Sequence, residues 1–141
     1  VFIGNELKSA RFKDTVHQVC MSHANNKFVK AGNQGSEPVA IRFSNLLKRF
    51  FSKEHVYDEA GLTPEERLRE RQSLETKELL IELRSLLDSE LLKDSEFRSR
   101  YYREALNYLN WFWKEIFAYL GDGELPIDNN LAERTIRKLT T

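Results

Sequence analysis

The chain has 141 residues, with 22 Lys and Arg against 22 Asp and Glu, three His, one Cys, one Met and 40% hydrophobic residues. That is the size of one domain, and zero net charge excludes a DNA-coating protein, so that any nucleic-acid contact must come from a local patch. A lone Cys20 cannot close an internal disulfide, no signal-peptide pattern is visible, and no apolar run reaches the ~18 residues of a membrane span, which together predict a soluble, cytoplasmic protein without membrane partners.

Residues 14–21, Asp-Thr-Val-His-Gln-Val-Cys-Met, are short and rich in β-branched side chains and predict one strand. Helix is expected from Ala24, interrupted by a loop over Gly32–Pro38. In the next helix Val39, Phe43, Leu46, Leu47 and Phe50 recur at three- and four-residue spacing, leaving Arg42, Lys48 and Arg49 to solvent. After a loop over Asp58–Leu62, Thr63-Pro64-Glu65-Glu66 reads as a capping box with proline at the first helical position. One helix is predicted from Pro64 to about Leu92. Its first half, Glu65 to Lys77, is mostly charged and is expected on the surface, with Leu79, Leu83, Leu86 and Leu87 packing behind it. The basic residues Arg67, Arg69 and Arg71 are expected on a solvated face, with DNA contact as the alternative.

A break is expected at Lys93-Asp94-Ser95. Beyond it Leu106, Leu109, Trp113, Ile116 or Phe117, and Leu120 mark an apolar face, broadened by Tyr101, Tyr102, Tyr108, Phe112 and Tyr119, which reads as the core of an antiparallel helix pair. Gly121-Asp122-Gly123 stops that helix. The final element is a helix capped by Asp128 in which Leu131, Ala132, Thr135, Ile136 and Leu139 form one stripe, and Asn130, Glu133, Arg134 and Arg137 another side.

Two groups could carry chemistry. Glu133 and Arg137 fit an ordinary i,i+4 ion pair of a few tenths of a kcal/mol; alternatively Glu133 is a hard oxygen ligand for Mg²⁺ beside phosphate-holding cations. Cys20-x-x-His23 falls short of the four ligands of a structural zinc, because His17 and His55 lie in no paired motif. No oxyanion donor accompanies Cys20 as a nucleophile either, so a buried thiol beside a hydrogen-bonded His is expected.

The segment Cys20-Met21-Ser22-His23-Ala24-Asn25-Asn26-Lys27-Phe28 resembles the Cys-Trp-Ala-His-x-Arg-Arg-Lys-Phe segment of bacterial transposases of insertion sequence family sixty-six. Glu66-Arg67 with Arg71 is similar to a Glu-Arg-x-x-x-Arg segment of that family. The run Trp113-x-x-Ile116-x-x-Tyr119-Leu120-x-Asp122-Gly123, followed by Ile127-Asp128-Asn129-Asn130-x-Ala132-Glu133-Arg134-x-Ile136-Arg137, matches in order and spacing. The resemblance implies a mainly α chain belonging to a ribonuclease-H-like domain of DDE type: a remnant of its core with at most one strand over 1–23, a helical, bundle-like insertion over 24–124, and a C-terminal helix carrying the last acidic motif over 125–141.

It further implies metal-dependent DNA cleavage and strand transfer using Mg²⁺ or Mn²⁺. Glu133 is then the final metal-binding carboxylate, Arg134, Arg137, Lys138 and Lys27 contact DNA phosphates, and Asn129, Asn130, Cys20 and His23 support the motif. Departures are Met21 for Trp, Asn25-Asn26 for the Arg pair, and Lys138 for the usual Pro. The two preceding Asp are not recognisable, since only Glu6 and Asp14 stand before Cys20. The 141 residues are thus expected to be a piece of a longer transposase, by themselves inactive and without bound metal. A helical interaction module without catalysis is the competing expectation, and a homodimer through apolar faces is open to either.

Overall fold

A computed structural model describes residues 20–35, 37–93 and 98–128, and the described residues are mainly helical, with no strand among them. The helices are α1 (Met21–Gln34), α2 (Pro38–Ala60), α3 (Pro64–Arg71), α4 (Leu74–Leu92), α5 (Arg100–Trp111) and the single turn α6 (Trp113–Ile116), followed by a 3₁₀ turn (Ala118–Gly121).

α1 packs on α2 and α5, and α4 closes the ring by touching both of those helices. Cross-contacts fix the directions. Ser44 Oγ donates to Asn25 Oδ1, Lys27 lies over Tyr108 and Lys30 over Tyr101, Lys53 pairs with Glu75, and Tyr102 Oη donates to Glu90. Each neighbour therefore runs antiparallel to the last, an up-down-up-down four-helix arrangement with α3 set into the α2–α4 connection.

The helical stripe of α1, Met21, Ala24, Phe28 and Ala31, is fully buried, with small alanines where the neighbouring helices pack. Phe28 and Phe43 stack at 4.5 Å with their planes 13° apart, and Tyr102 meets both at 6.5 and 6.3 Å. Such rings each contribute roughly 1.5–3 kcal/mol by leaving water, with a smaller increment from their mutual geometry. Val39 packs partly buried beside Phe43, Leu46, Leu47 and Phe50, which are buried as their spacing predicts, and both Ile116 and Phe117 join the core.

Five expectations are corrected. Most of the predicted strand lies outside the described residues, but its end does not: Cys20 occupies the position just before α1 and Met21 is the first residue of that helix. The Gly32–Pro38 loop is shorter, because α1 continues through Gln34 and α2 starts on Pro38, whose fixed φ suits a helix start. Asp58, Glu59 and Ala60 belong to α2 rather than to a loop; the chain turns only at Gly61, which takes the left-handed conformation (φ 64°) that glycine adopts without a Cβ clash. The helix expected over Pro64–Leu92 is two helices, since Ser73 is extended and its hydroxyl accepts from the Thr76 N–H, restarting the ladder as a cap. The last aromatic helix is likewise interrupted, at Phe112 and Phe117.

Candidate functional site

The N-terminus of α1 presents unpaired backbone N–H groups and the positive end of the helix dipole. Cys20 precedes it in extended conformation and makes no side-chain cap; its thiol is buried and shares a 2.9 Å hydrogen bond with His23 Nδ1. The cap comes instead from the other end of the chain. Asp128 Oδ1 accepts from the Ser22 N–H at 3.1 Å, and Asp128 Oδ2 accepts from the Ser22 hydroxyl at 2.7 Å. A carboxylate at a helix start is favoured by both the hydrogen bond and the dipole. Asp128 is thereby joined to the Cys-x-x-His segment.

Along the seam of α1 and α5, the ammonium groups of Lys27 and Lys30 lie 5.1 and 4.8 Å from the ring centres of Tyr108 and Tyr101. Burial pushes the Tyr108 phenol up, so the ring beneath Lys27 is neutral at physiological pH. Asn25, half-buried, is held by Ser44, whereas Asn26 is exposed. Lys30, Asn26 and His23 leave α1 with an exposed side that carries no acidic residue.

The approach to Asp128 is organised by Arg71. Expected on the surface, Arg71 is 2% exposed and Glu54 6%. Its Nε and Nη2 donate to the two Glu54 oxygens at 3.1 and 2.6 Å, and Nη1 donates to the carbonyls of Tyr119 (3.0 Å), Leu125 (2.8 Å) and Asp122. The guanidinium also lies 4.8 Å from the Tyr119 ring centre. An Arg cannot discharge its cost of burial by losing a proton, so it must be paired this thoroughly. Arg67 pairs with Glu54 and Asp58, while Arg69 alone of the three remains exposed.

Gln72 Nε2 adds a bond to the Leu120 carbonyl at 2.6 Å, and Asp122 Oδ1 accepts from the Glu124 N–H at 2.7 Å. Gly123 is required by proximity. A Cβ there would stand 1.8 Å from the Pro64 carbonyl oxygen.

Of the residues expected at the site, the structure brings together Cys20 and His23, and places Lys27 one turn further along α1. Asn129, Asn130, Glu133, Arg134, Arg137 and Lys138 lie outside the described residues. Among the described residues no group of three or more His, Cys, Asp or Glu could hold a metal ion, and both carboxylate oxygens of Asp128 are committed to Ser22. Sequence reasoning missed Glu54, Ser22 and the burial of Arg71. The Glu-Arg-x-x-x-Arg spacing marked Arg71, but nothing local marked its partners. No helix among the described residues is long and apolar enough to cross a membrane.

The family model described as Transposase IS66 family matches residues 7–141. The uncharacterized protein y4jD of Sinorhizobium fredii is 27% identical over 121 residues, covering 85% of this chain. The chain spans 22% of that relative's length. No solved structure matches it to a significant degree.

Proposed function

This chain belongs to the Transposase IS66 family, and we propose that it forms the closing part of a DDE-type, ribonuclease-H-like catalytic domain that cleaves and joins DNA phosphodiesters. The observation that carries the reading is the Ser22–Asp128 clasp. It ties the two stretches that resemble the family's motifs, and so gives a physical reason for their joint occurrence.

In this reading the helical bundle is a scaffold that holds Asp128, the residue from which the chain continues towards Glu133. Glu133 contributes one carboxylate to the site, Arg134, Arg137 and Lys138 hold backbone phosphates, and Asn129 and Asn130 support the motif. Lys27, joined by Lys30, extends the phosphate track along α1, where the neutral tyrosine rings support the ammonium groups without cancelling their charge. When bound, Mg²⁺ or Mn²⁺ ions of such a centre activate the attacking oxygen and stabilise the leaving one. The partners are the transposon ends and target DNA, and the place of action is the bacterial cytoplasm. The 141-residue chain alone is inactive, because one Glu does not make a two-metal site.

The test is strand cleavage and transfer by the full transposase on a labelled terminal-end duplex. Glu133→Gln abolishes both while leaving the helical circular-dichroism spectrum unchanged; retained activity removes Glu133 from the site. A second role, assembly, has one observation in its favour. Leu74, Ile81 and Leu92 are 72%, 64% and 86% exposed on the side of α4 opposite buried Leu79, Leu83 and Leu87. Sedimentation of wild type against Ile81→Lys distinguishes a homodimer through that stripe from a monomer.

A further inference from the structure

The only side chain that reaches three separate backbone carbonyls among the described residues is one that the chemistry proposed above does not use. Arg71 spends one side of its guanidinium on Glu54 and the other on Tyr119, Asp122 and Leu125. Those carbonyls belong to the stretch between the last core-forming turn and Asp128. That stretch has only the four-residue 3₁₀ turn as regular structure, so its course is not set by a helical ladder. Its fixed points are Arg71, the Gln72 bond to Leu120, the Gly123–Pro64 approach and the Asp128 clasp. Three of these four lie on or beside α3.

From this geometry we infer that Arg71 is a positioning residue: anchored by Glu54, it sets the path of residues 119–125 and thereby the point at which Asp128 meets α1 and the acidic segment begins. α3 is then the part of the molecule that tunes the acidic motif, which accounts for its being a separate helix: Ser73 breaks the ladder and lets Arg71 face inward while α4 follows the core. The consequence for catalysis rests on the transposase reading; the consequence for the path of the chain does not.

Arg71→Lys tests it, because an ammonium keeps the charge but has no planar fork to serve Glu54 and three carbonyls together. In the full transposase, hydrogen exchange read by mass spectrometry is expected to rise about tenfold in peptides spanning 119–128 and at the start of α1, with the bundle's other peptides unchanged. Strand cleavage is expected to lose about tenfold or more in kcat with the KM for the DNA end within about twofold, since small displacements of a reacting group carry rate costs of that order. Leu87→Val, which loosens the core at the other end of α4, is the matched control and leaves both quantities in place.

Unchanged exchange over 119–128 in Arg71→Lys overturns the inference, as does an equal kcat loss in Leu87→Val. If Glu133→Gln retains activity, the functional reading fails by itself while the exchange result still decides the role of Arg71.

Discussion

Asp128 and Ser22, 106 positions apart, share two hydrogen bonds of 3.1 and 2.7 Å, so the carboxylate of one motif-like segment is the helix cap of another. The backbone N–H would offer the first bond whatever side chain stood at position 22; the hydroxyl adds the second. The sequence reads Asp128 as the cap of the helix that follows it, which lies outside the described residues; among the described residues Asp128 caps α1.

A double-mutant cycle measures this clasp. Ser22→Ala is expected to cost about 1 kcal/mol, the typical net worth of one hydrogen bond, and Asp128→Ala about 1–3 kcal/mol, because it also strips the cap from α1. The coupling energy should be about 0.5–1 kcal/mol in urea denaturation. Strict additivity of the two losses would show that the hydroxyl bond between Ser22 and Asp128 contributes nothing in solution.

Removing the anchor of Arg71 leaves a buried cation with half its partners. Glu54→Gln is expected to destabilise the chain by about 3–5 kcal/mol, as breaking a buried pair does. In a simple buried pair, replacing both partners by apolar residues can restore stability. Here Glu54→Leu with Arg71→Met should not, because the carbonyls of Tyr119, Asp122 and Leu125 lose their donor together. Recovery to wild-type stability in the double variant would show that those three contacts contribute little.

Gly123→Ala forces either the loop or the start of α3 to move, since the new methyl would overlap the Pro64 carbonyl. A loss of about 1–3 kcal/mol is expected, in the range of overpacking and strain. Gly121→Ala, where a Cβ meets nothing within 4 Å, is the comparison and should be near neutral. Equal melting temperatures for the two variants would contradict the close approach.

Glu90 gives the fold a defined acid sensitivity. Burial raises its carboxyl pKa, but hydrogen bonds from Lys93 and Tyr102 and the charges of Lys93 and Arg98 outweigh that and hold it below the ordinary carboxylate range. A lowered native pKa stabilises the fold fully above the unfolded value, about 4.3, and the contribution is lost as pH falls through the native one. Glu90→Gln should therefore be less stable than wild type at pH 7, and the gap should narrow by about pH 3. A gap that stays constant with pH would exclude this linkage.

The bundle was largely legible because its core is periodic: Phe43, Leu46, Leu47 and Phe50, or Leu79, Leu83 and Leu87, announce a helix face without reference to anything distant. What was hidden is what depends on contacts far along the chain. Ser73 reads as an ordinary helical serine until its hydroxyl is seen to accept from Thr76. Arg71 sits among Glu65, Glu66, Arg67, Arg69 and Glu70 and shares their surface composition, yet its partners stand 17 to 54 positions away, where no local pattern points. At the site, the motif resemblance identified the segments that meet, but not the bonds by which they meet.

Strand transfer by the full transposase carrying Glu133→Gln tests the central claim most directly, read with a labelled terminal-end duplex in Mg²⁺ and in Mn²⁺. Loss of about 10³-fold or more in rate, with DNA binding retained, is predicted for a carboxylate that acts on the reacting phosphodiester. Transfer at the wild-type rate by the Glu133→Gln enzyme in either metal would contradict it.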